Sequence, residues 1–286
     1  TDKYKQYTHE LVEAYKNGEE VSTIDLAPSP SGKVGMGLRT FKNIDGIKFL
    51  NHQGGCGGIR QDAAVLSKLL AAYADHPNVG GVTVLSLGCQ NLQVQDFKDD
   101  LKKQNPKFDK PLFIFEQQQS QSEEQLIADS IKQTFKGLIE INKLERQPAS
   151  LDKLCIGVKC GGSDGFSGIS ANPSVGYCSD LVVALGGKIL LAEFPELCGV
   201  EQELIDRTVE ETAAKKFIQL MGRYDEMVTN AGSSFSMNPS PGNIKDGLIT
   251  DAIKSAGAAK KGGTSPVVDV LDYTETATKP GLNLVC

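Results

Sequence analysis

Leu154-Cys155-Ile156-Gly157-Val158-Lys159-Cys160-Gly161-Gly162 joins a short apolar run to a glycine-rich turn. A helical stretch over Ser174–Leu185 follows, and then a second apolar run, Lys188–Ala192. Short apolar runs bounded by glycine read as buried strands, and strand, helix and strand in succession read as a parallel crossover unit. The alternation recurs upstream. Ile47–Asn51 precedes a Gly-rich turn and a helix over Gln61–Tyr73, and Val82–Leu87 precedes Gly88-Cys89-Gln90 and a helical stretch near Gln95–Gln104. Leu112–Phe115 leads through Gln117–Gln119 to a long helix around Glu123–Glu140. The expected fold is α/β: an open, mostly parallel, doubly wound (Rossmann-like) sheet flanked by helices.

Outward from these units the pattern thins. Thr1–Lys16 reads as a polar amphipathic helix and Ala27–Gly37, rich in Pro, Gly and Ser, as a loop. Residues 1–40 are therefore expected to be a helix and linker, and residues 41–286 the Rossmann-like core. Glu201–Asn230 reads as one long helical segment with a solvated charged face, followed by loops at Met237–Asn243 and Lys260–Ser265. The chain starts without methionine and stops on a fresh apolar strand at Leu282–Cys286, which suggests a processed start or a piece of a longer protein, cut short at its C-terminus.

The 286 residues suffice for one large α/β domain or two small ones and for a core that needs no staples. A net charge of −6 argues against nucleic acid as a partner, since that normally recruits a basic face. Seven cysteines, odd in number and widely spaced, read as reduced thiols in a cytoplasmic protein rather than as a disulfide framework. No apolar run is long enough to span a bilayer and no signal peptide is evident, so no membrane partner is expected. Self-association as a homo-oligomer stays open.

Three cysteines fall just after predicted strands: Cys56 in Gly54-Gly55-Cys56-Gly57-Gly58, Cys89 in Gly88-Cys89-Gln90, and Cys160 in Lys159-Cys160-Gly161-Gly162-Ser163-Asp164. Ligands of open parallel sheets bind outside the carboxyl ends of the strands. Thiolates there suit iron or zinc, as a single ion or as an iron–sulfur cluster with one open iron. Cys155, Cys178 and Cys198 lack glycine-rich flanks on both sides and read as small buried hydrophobes. No CxxC pair is present, so spacing alone is a moderate metal signal.

His52 is the one histidine on such a loop and is a candidate for proton transfer, with a backbone-satisfied strand end as the ordinary alternative. Glu193 and Glu196 follow the strand Lys188–Ala192 and could serve as metal ligands or as a general base; helix N-terminal charge is the ordinary reading, more so for Glu201. Asp164 opens the Ser163–Ser170 loop, and Asn172 reads as an N-cap. Asn238-Pro239-Ser240-Pro241-Gly242-Asn243 is dense in turn formers and reads as a preformed polyol- or anion-binding loop. Lys260-Lys261-Gly262-Gly263-Thr264-Ser265 suits a carboxylate, or is a solvated turn. It lacks P-loop spacing, and Gly55–Arg60 fails as a dinucleotide fingerprint because Arg60 takes the third glycine position.

Together these loops resemble the altronate/galactarate dehydratase family. The resemblance rests on Cys160–Ile169 with Ala171-Asn172-Pro173, on Glu193-Phe194-Pro195-Glu196, on Asn238–Asn243, and on Lys261–Thr264 leading to Val267-Val268-Asp269-Val270, in that order. It runs from about Phe41 to the C-terminus, and Phe41–Gly58 and Val82–Gln90 look most like the altronate dehydratase branch. The resemblance implies a hydro-lyase that dehydrates an aldonate, D-altronate first, to a 2-keto-3-deoxy acid. Galactarate dehydratase and sulfolactate sulfo-lyase share the motifs, and a non-catalytic metal- or sugar-acid-binding fragment is the reading from another class. The family uses a divalent metal, Fe(II) or Mn(II), and normally adds an N-terminal SAF-type domain and a C-terminal domain. Expected metal ligands are Cys56, Cys89 and Cys160; expected catalytic groups are His52, Glu193 and Glu196. Ser163, Asp164, Asn238, Asn243 and Lys261 are expected to bind the polyol and its carboxylate.

Overall fold

The computed structural model describes residues 2–24 and 40–286, and the loop expected at Ala27–Gly37 lies outside them. The chain divides into two compact units, Thr1–Gln147 and Pro148–Cys286. All strand pairing among the described strands is parallel, as expected, but it falls into two sheets rather than one.

In the first unit, β1 (Val82–Ser86) pairs with β2 (Leu112–Glu116). Helices α2 (Arg60–Asp75) and α3 (Val94–Gln104) bury Ala71 and Ala74 against Phe97 and Leu101, the i, i+3 and i, i+4 spacings that put both pairs on one helix face. Helix α1 (Asp2–Lys16) lays Tyr7 and Leu11 on Phe135 of α4 (Glu123–Ile141). The strand expected at Ile47–Asn51 is absent: the segment is extended coil with Phe49 80% exposed. A strand persists only where a neighbour pairs with its backbone and covers its face, and no described strand pairs with this one.

The second unit holds the four-stranded sheet in the order β3-β4-β6-β5, with β3 Cys155–Val158, β4 Lys188–Leu191, β5 Val267–Leu271 and β6 Gly281–Val285. Helix α5 (Ala171–Ala184) is the crossover between β3 and β4 that the opening stretch predicts. Residues 281–284 of β6 are buried on both faces, the mark of a covered inner parallel strand. Ile189, Leu191, Leu282, Leu284, Val267 and Val270 pack against Phe194, Leu204 and Phe217.

The long helix expected over Glu201–Asn230 is broken into α6 (Glu201–Asp206) and α7 (Glu211–Asn230). The break has a cause in the sheet: the Val267 amide donates to the Arg207 carbonyl and the Val209 amide donates to the Val267 carbonyl, both at 2.9 Å. Thr208 thereby bridges to β5, a strand that sequence reading left as an unassigned motif. The unit continues with α8 (Pro241–Lys245) and α9 (Asp251–Lys260).

Candidate active site

The carboxyl ends of β3 and β4 lie side by side, Val158 in register with Leu191. Two residues beyond each, the chain delivers Cys160 and Glu193; the Ala192 amide, donating to the Val158 carbonyl at 3.0 Å, locks that offset. A single 3-10 turn, Phe194–Leu197, then carries Glu196 round toward the same point. Phe194 and Leu197 are buried, so the turn is anchored by its apolar side while Glu196 stays half-buried on the other. Cys160 Sγ lies 3.8 Å from Glu196 Oε1. One ligand atom each from Cys160, Glu193 and Glu196 lies within 4.8 Å of the others, the one such group of metal-capable side chains among the described residues.

Glu193 is fully buried. Its one cationic neighbour at contact distance among the described residues is Lys261, whose Nζ stands 2.9 Å from Oε1 and which is itself buried. The ammonium is near enough to pair by charge but is not aligned as a hydrogen-bond donor, and neither carboxylate oxygen has an aligned partner. Burial pushes the Glu193 carboxyl above the usual carboxylate range; Lys261 opposes that shift and the Glu196 charge adds to it. A buried carboxylate with unfilled lone pairs, a thiol and a second carboxylate make a donor set that fits a divalent cation.

Lys261 reaches Glu193 because the Lys260–Ser265 loop is built onto α5. Asp180 accepts from the Thr264 amide at 2.9 Å, from Thr264 Oγ1 at 3.0 Å, and from the Ser265 amide at 2.9 Å and hydroxyl at 2.5 Å. Ser179 Oγ donates to the Lys261 carbonyl at 2.8 Å. Gly176 lets the loop this close, since a Cβ there would collide with the Lys260 carbonyl oxygen. Gly263 turns the loop with φ +65°, a left-handed conformation that favours glycine. Burial would raise the Asp180 carboxyl, but the donors from Ser265 and Thr264 outweigh it and hold the group below the usual aspartate range.

These groups open onto a pocket of about 260 Å³ that is lined by Cys160, Ser163, Asp164, Glu193, Glu196, Lys254 and Lys261, among others. Asp164 turns its carboxylate inward on its own loop, accepting from the Phe166 and Ser167 amides at 2.9 and 2.7 Å. Asn238 and Asn243 do not line the pocket directly; their amide oxygens accept from Lys254 Nζ at 2.6 and 3.3 Å. Asn243 also donates from Nδ2 to the Ser163 carbonyl at 3.0 Å and caps α8 with Ser240.

Cys56, Cys89 and His52 belong to the first unit, and all three are exposed. The Cys56 loop and the loop after β1 are tied together by Asn91, whose amide donates to the Gly55 carbonyl at 3.3 Å and whose side chain donates to Gly58 O at 2.6 Å. Cys155 and Cys178 are exposed rather than buried, because β3 is an edge strand and Cys178 lies on the outer face of α5; Cys198 packs against the core. Asn172 is not the cap of α5, where Ser170 stands; its side chain donates to the Gly257 carbonyl at 3.0 Å and joins α5 to α9. Sequence reading missed Lys254 and Asp180. A lysine in the small-residue run Ser255-Ala256-Gly257-Ala258-Ala259 was the available signal for the first; the second had none.

Comparison with known proteins agrees with this division. Residues 5–142 match the D-galactarate dehydratase/altronate hydrolase second-domain family, and residues 151–286 match the D-galactarate/altronate dehydratase C-terminal family. The chain is 37% identical over 248 residues to altronate dehydratase of Escherichia coli (strain K12) and 38% identical over 246 residues to altronate dehydratase of Bacillus subtilis (strain 168), covering 85% of this chain and 48% of each relative. It is 34% identical over 211 residues to the L-threo-forming galactarate dehydratase of Escherichia coli (strain K12), covering 72% of this chain and 40% of that protein. The chain thus spans about half the length of the altronate dehydratases it matches. It belongs to the D-galactarate/altronate dehydratase family.

Proposed function

We propose that this family member carries the reaction centre of a sugar-acid hydro-lyase, taking an aldonate, D-altronate first, to 2-dehydro-3-deoxy-D-gluconate with a divalent metal, Fe(II) or Mn(II). The observation that carries the reading is Glu193: a fully buried carboxylate with no aligned hydrogen-bond donor, beside Cys160 and Glu196 at the wall of a pocket. A protein keeps such a group only where something compensates it.

Cys160, Glu193 and Glu196 would hold the ion. When bound, it supplies Lewis-acid polarisation of the substrate's carboxylate and α-hydroxyl, which makes the C2 proton removable. Lys261 places a buried positive charge against Glu193 and so favours its ionised form against the opposing effect of burial. Glu196, half-buried at the pocket wall, would give one carboxylate oxygen to the ion and offer the other to the C2 proton, since it meets solvent on one side and can pass the proton on. Loss of that proton from C2 and of the hydroxyl from C3 releases one water, and the resulting enol tautomerises to the 2-keto acid. Ser163 and Asp164 offer hydroxyl and backbone partners to the polyol. Cys56 and Cys89 as metal ligands and His52 as a proton-transfer group are carried as proposals from their sequence positions.

The test is turnover. Anaerobically purified protein is assayed for 2-keto acid formation from D-altronate, with and without added Fe(II), beside Cys160→Ala. The reading expects metal-stimulated product and a loss of about 10- to 100-fold or more in Cys160→Ala. An unchanged Cys160→Ala rate would remove the proposed centre.

A further inference from the structure

The pocket contains a cation whose positive charge is not spent. Lys261 is matched by Glu193, and Lys260 is exposed to solvent. Lys254 is different: it is half-buried in the pocket wall, and its two hydrogen-bond partners among the described residues are the neutral amide oxygens of Asn238 and Asn243. An ammonium has three donors, so two fix its position and one is left to point elsewhere. The amides are themselves fixed. Asn243 is held by Ser163 and by the Ser240 cap, and Asn238 ends the turn Phe235–Met237. Orienting a lysine with neutral acceptors preserves its charge for a ligand, whereas a carboxylate partner would cancel it.

We infer that Lys254 is the anion anchor of this pocket and receives the carboxylate of the sugar acid, with Asn238 and Asn243 as its positioning residues; the inference rests on the sugar-acid reading above. Three polar side chains with no common motif are then one device. The Asn-Pro-Ser-Pro-Gly-Asn loop serves the ligand's charge through the lysine instead of touching its hydroxyls with those two amide oxygens. Lys261, tied to Glu193, is left to the reacting centre.

The experiment measures binding by calorimetry to D-altronate and to the uncharged polyol D-altritol, for the native chain, Lys254→Met and Lys254→Arg. The native chain is expected to prefer the acid. Lys254→Met should weaken acid binding about 10- to 100-fold, leave polyol binding within about twofold, and keep the native metal content; Lys254→Arg should recover most of the loss. If Lys254→Met melts early, Lys254→Gln, which keeps a donor without the charge, carries the same comparison. Acid binding by Lys254→Met and Lys254→Gln equal to native overturns the inference while leaving the dehydratase reading intact. A native chain that binds no sugar acid overturns both.

Discussion

At the residue scale Glu193 and Lys261 form a buried ion pair that is incomplete. Burying Glu193 costs desolvation, and a single unaligned ammonium does not repay it in full. Removing Lys261 leaves the carboxylate buried without compensation, so Lys261→Met is expected to lower unfolding stability at neutral pH by about 3–5 kcal/mol, read from denaturant midpoints. Without the opposing cation the Glu193 carboxyl rises further above its ordinary value. A group raised in the folded state is least costly when protonated, so the deficit should shrink as the pH falls through that raised value. A deficit under 1 kcal/mol that does not change with pH, where about 3 is expected, would mean that the pair is better solvated than its burial indicates. Sequence could nominate Glu193, Glu196 and Lys261 from loop position, and the structure brings all three together. It could not show that Glu193 is the buried one, because that depends on the Phe194 and Leu197 anchors and on α9.

At the element scale the decisive piece is the Lys260–Ser265 loop, which in sequence reads either as a carboxylate site or as a solvated turn and is strapped to α5 by Asp180. Four donors hold that carboxylate below its ordinary value near 3.8. A depressed folded value means that the stabilisation is present above the ordinary aspartate range and is lost as pH falls through the depressed value. Asp180→Ala is expected to cost about 1–3 kcal/mol at neutral pH, a difference that closes in acid, and to loosen Lys261 from Glu193. Equal pH profiles for the two proteins would show that the strap is not electrostatic. Elements were legible where short apolar runs alternate with helical stretches and also find a pairing neighbour: β3, α5 and β4 stand where their apolar spacing puts them. Ile47–Asn51 has the same spacing and no partner, and β5 was hidden because Asp269 interrupts its apolar run. Periodicity reports which residues could be covered. It does not report whether a neighbour covers them.

For the whole molecule, parallel α/β architecture was readable, since crossover helices follow from strand–helix alternation, but its partition into two sheets was not. Each unit has its own apolar clusters, and the candidate centre described here is built within Pro148–Cys286 alone. No described helix is long and apolar enough to cross a membrane.

The central claim is that Glu193, Cys160 and Glu196 form a metal centre, and its most direct test is the affinity of the full chain for Fe(II) under anaerobic conditions. Titration with a competing chelator should give tight one-to-one binding to the native chain and binding at least about 10-fold weaker in Glu193→Gln and Cys160→Ala, with melting temperatures that exclude unfolding as the cause. Native-like Fe(II) affinity in both folded variants would contradict the account.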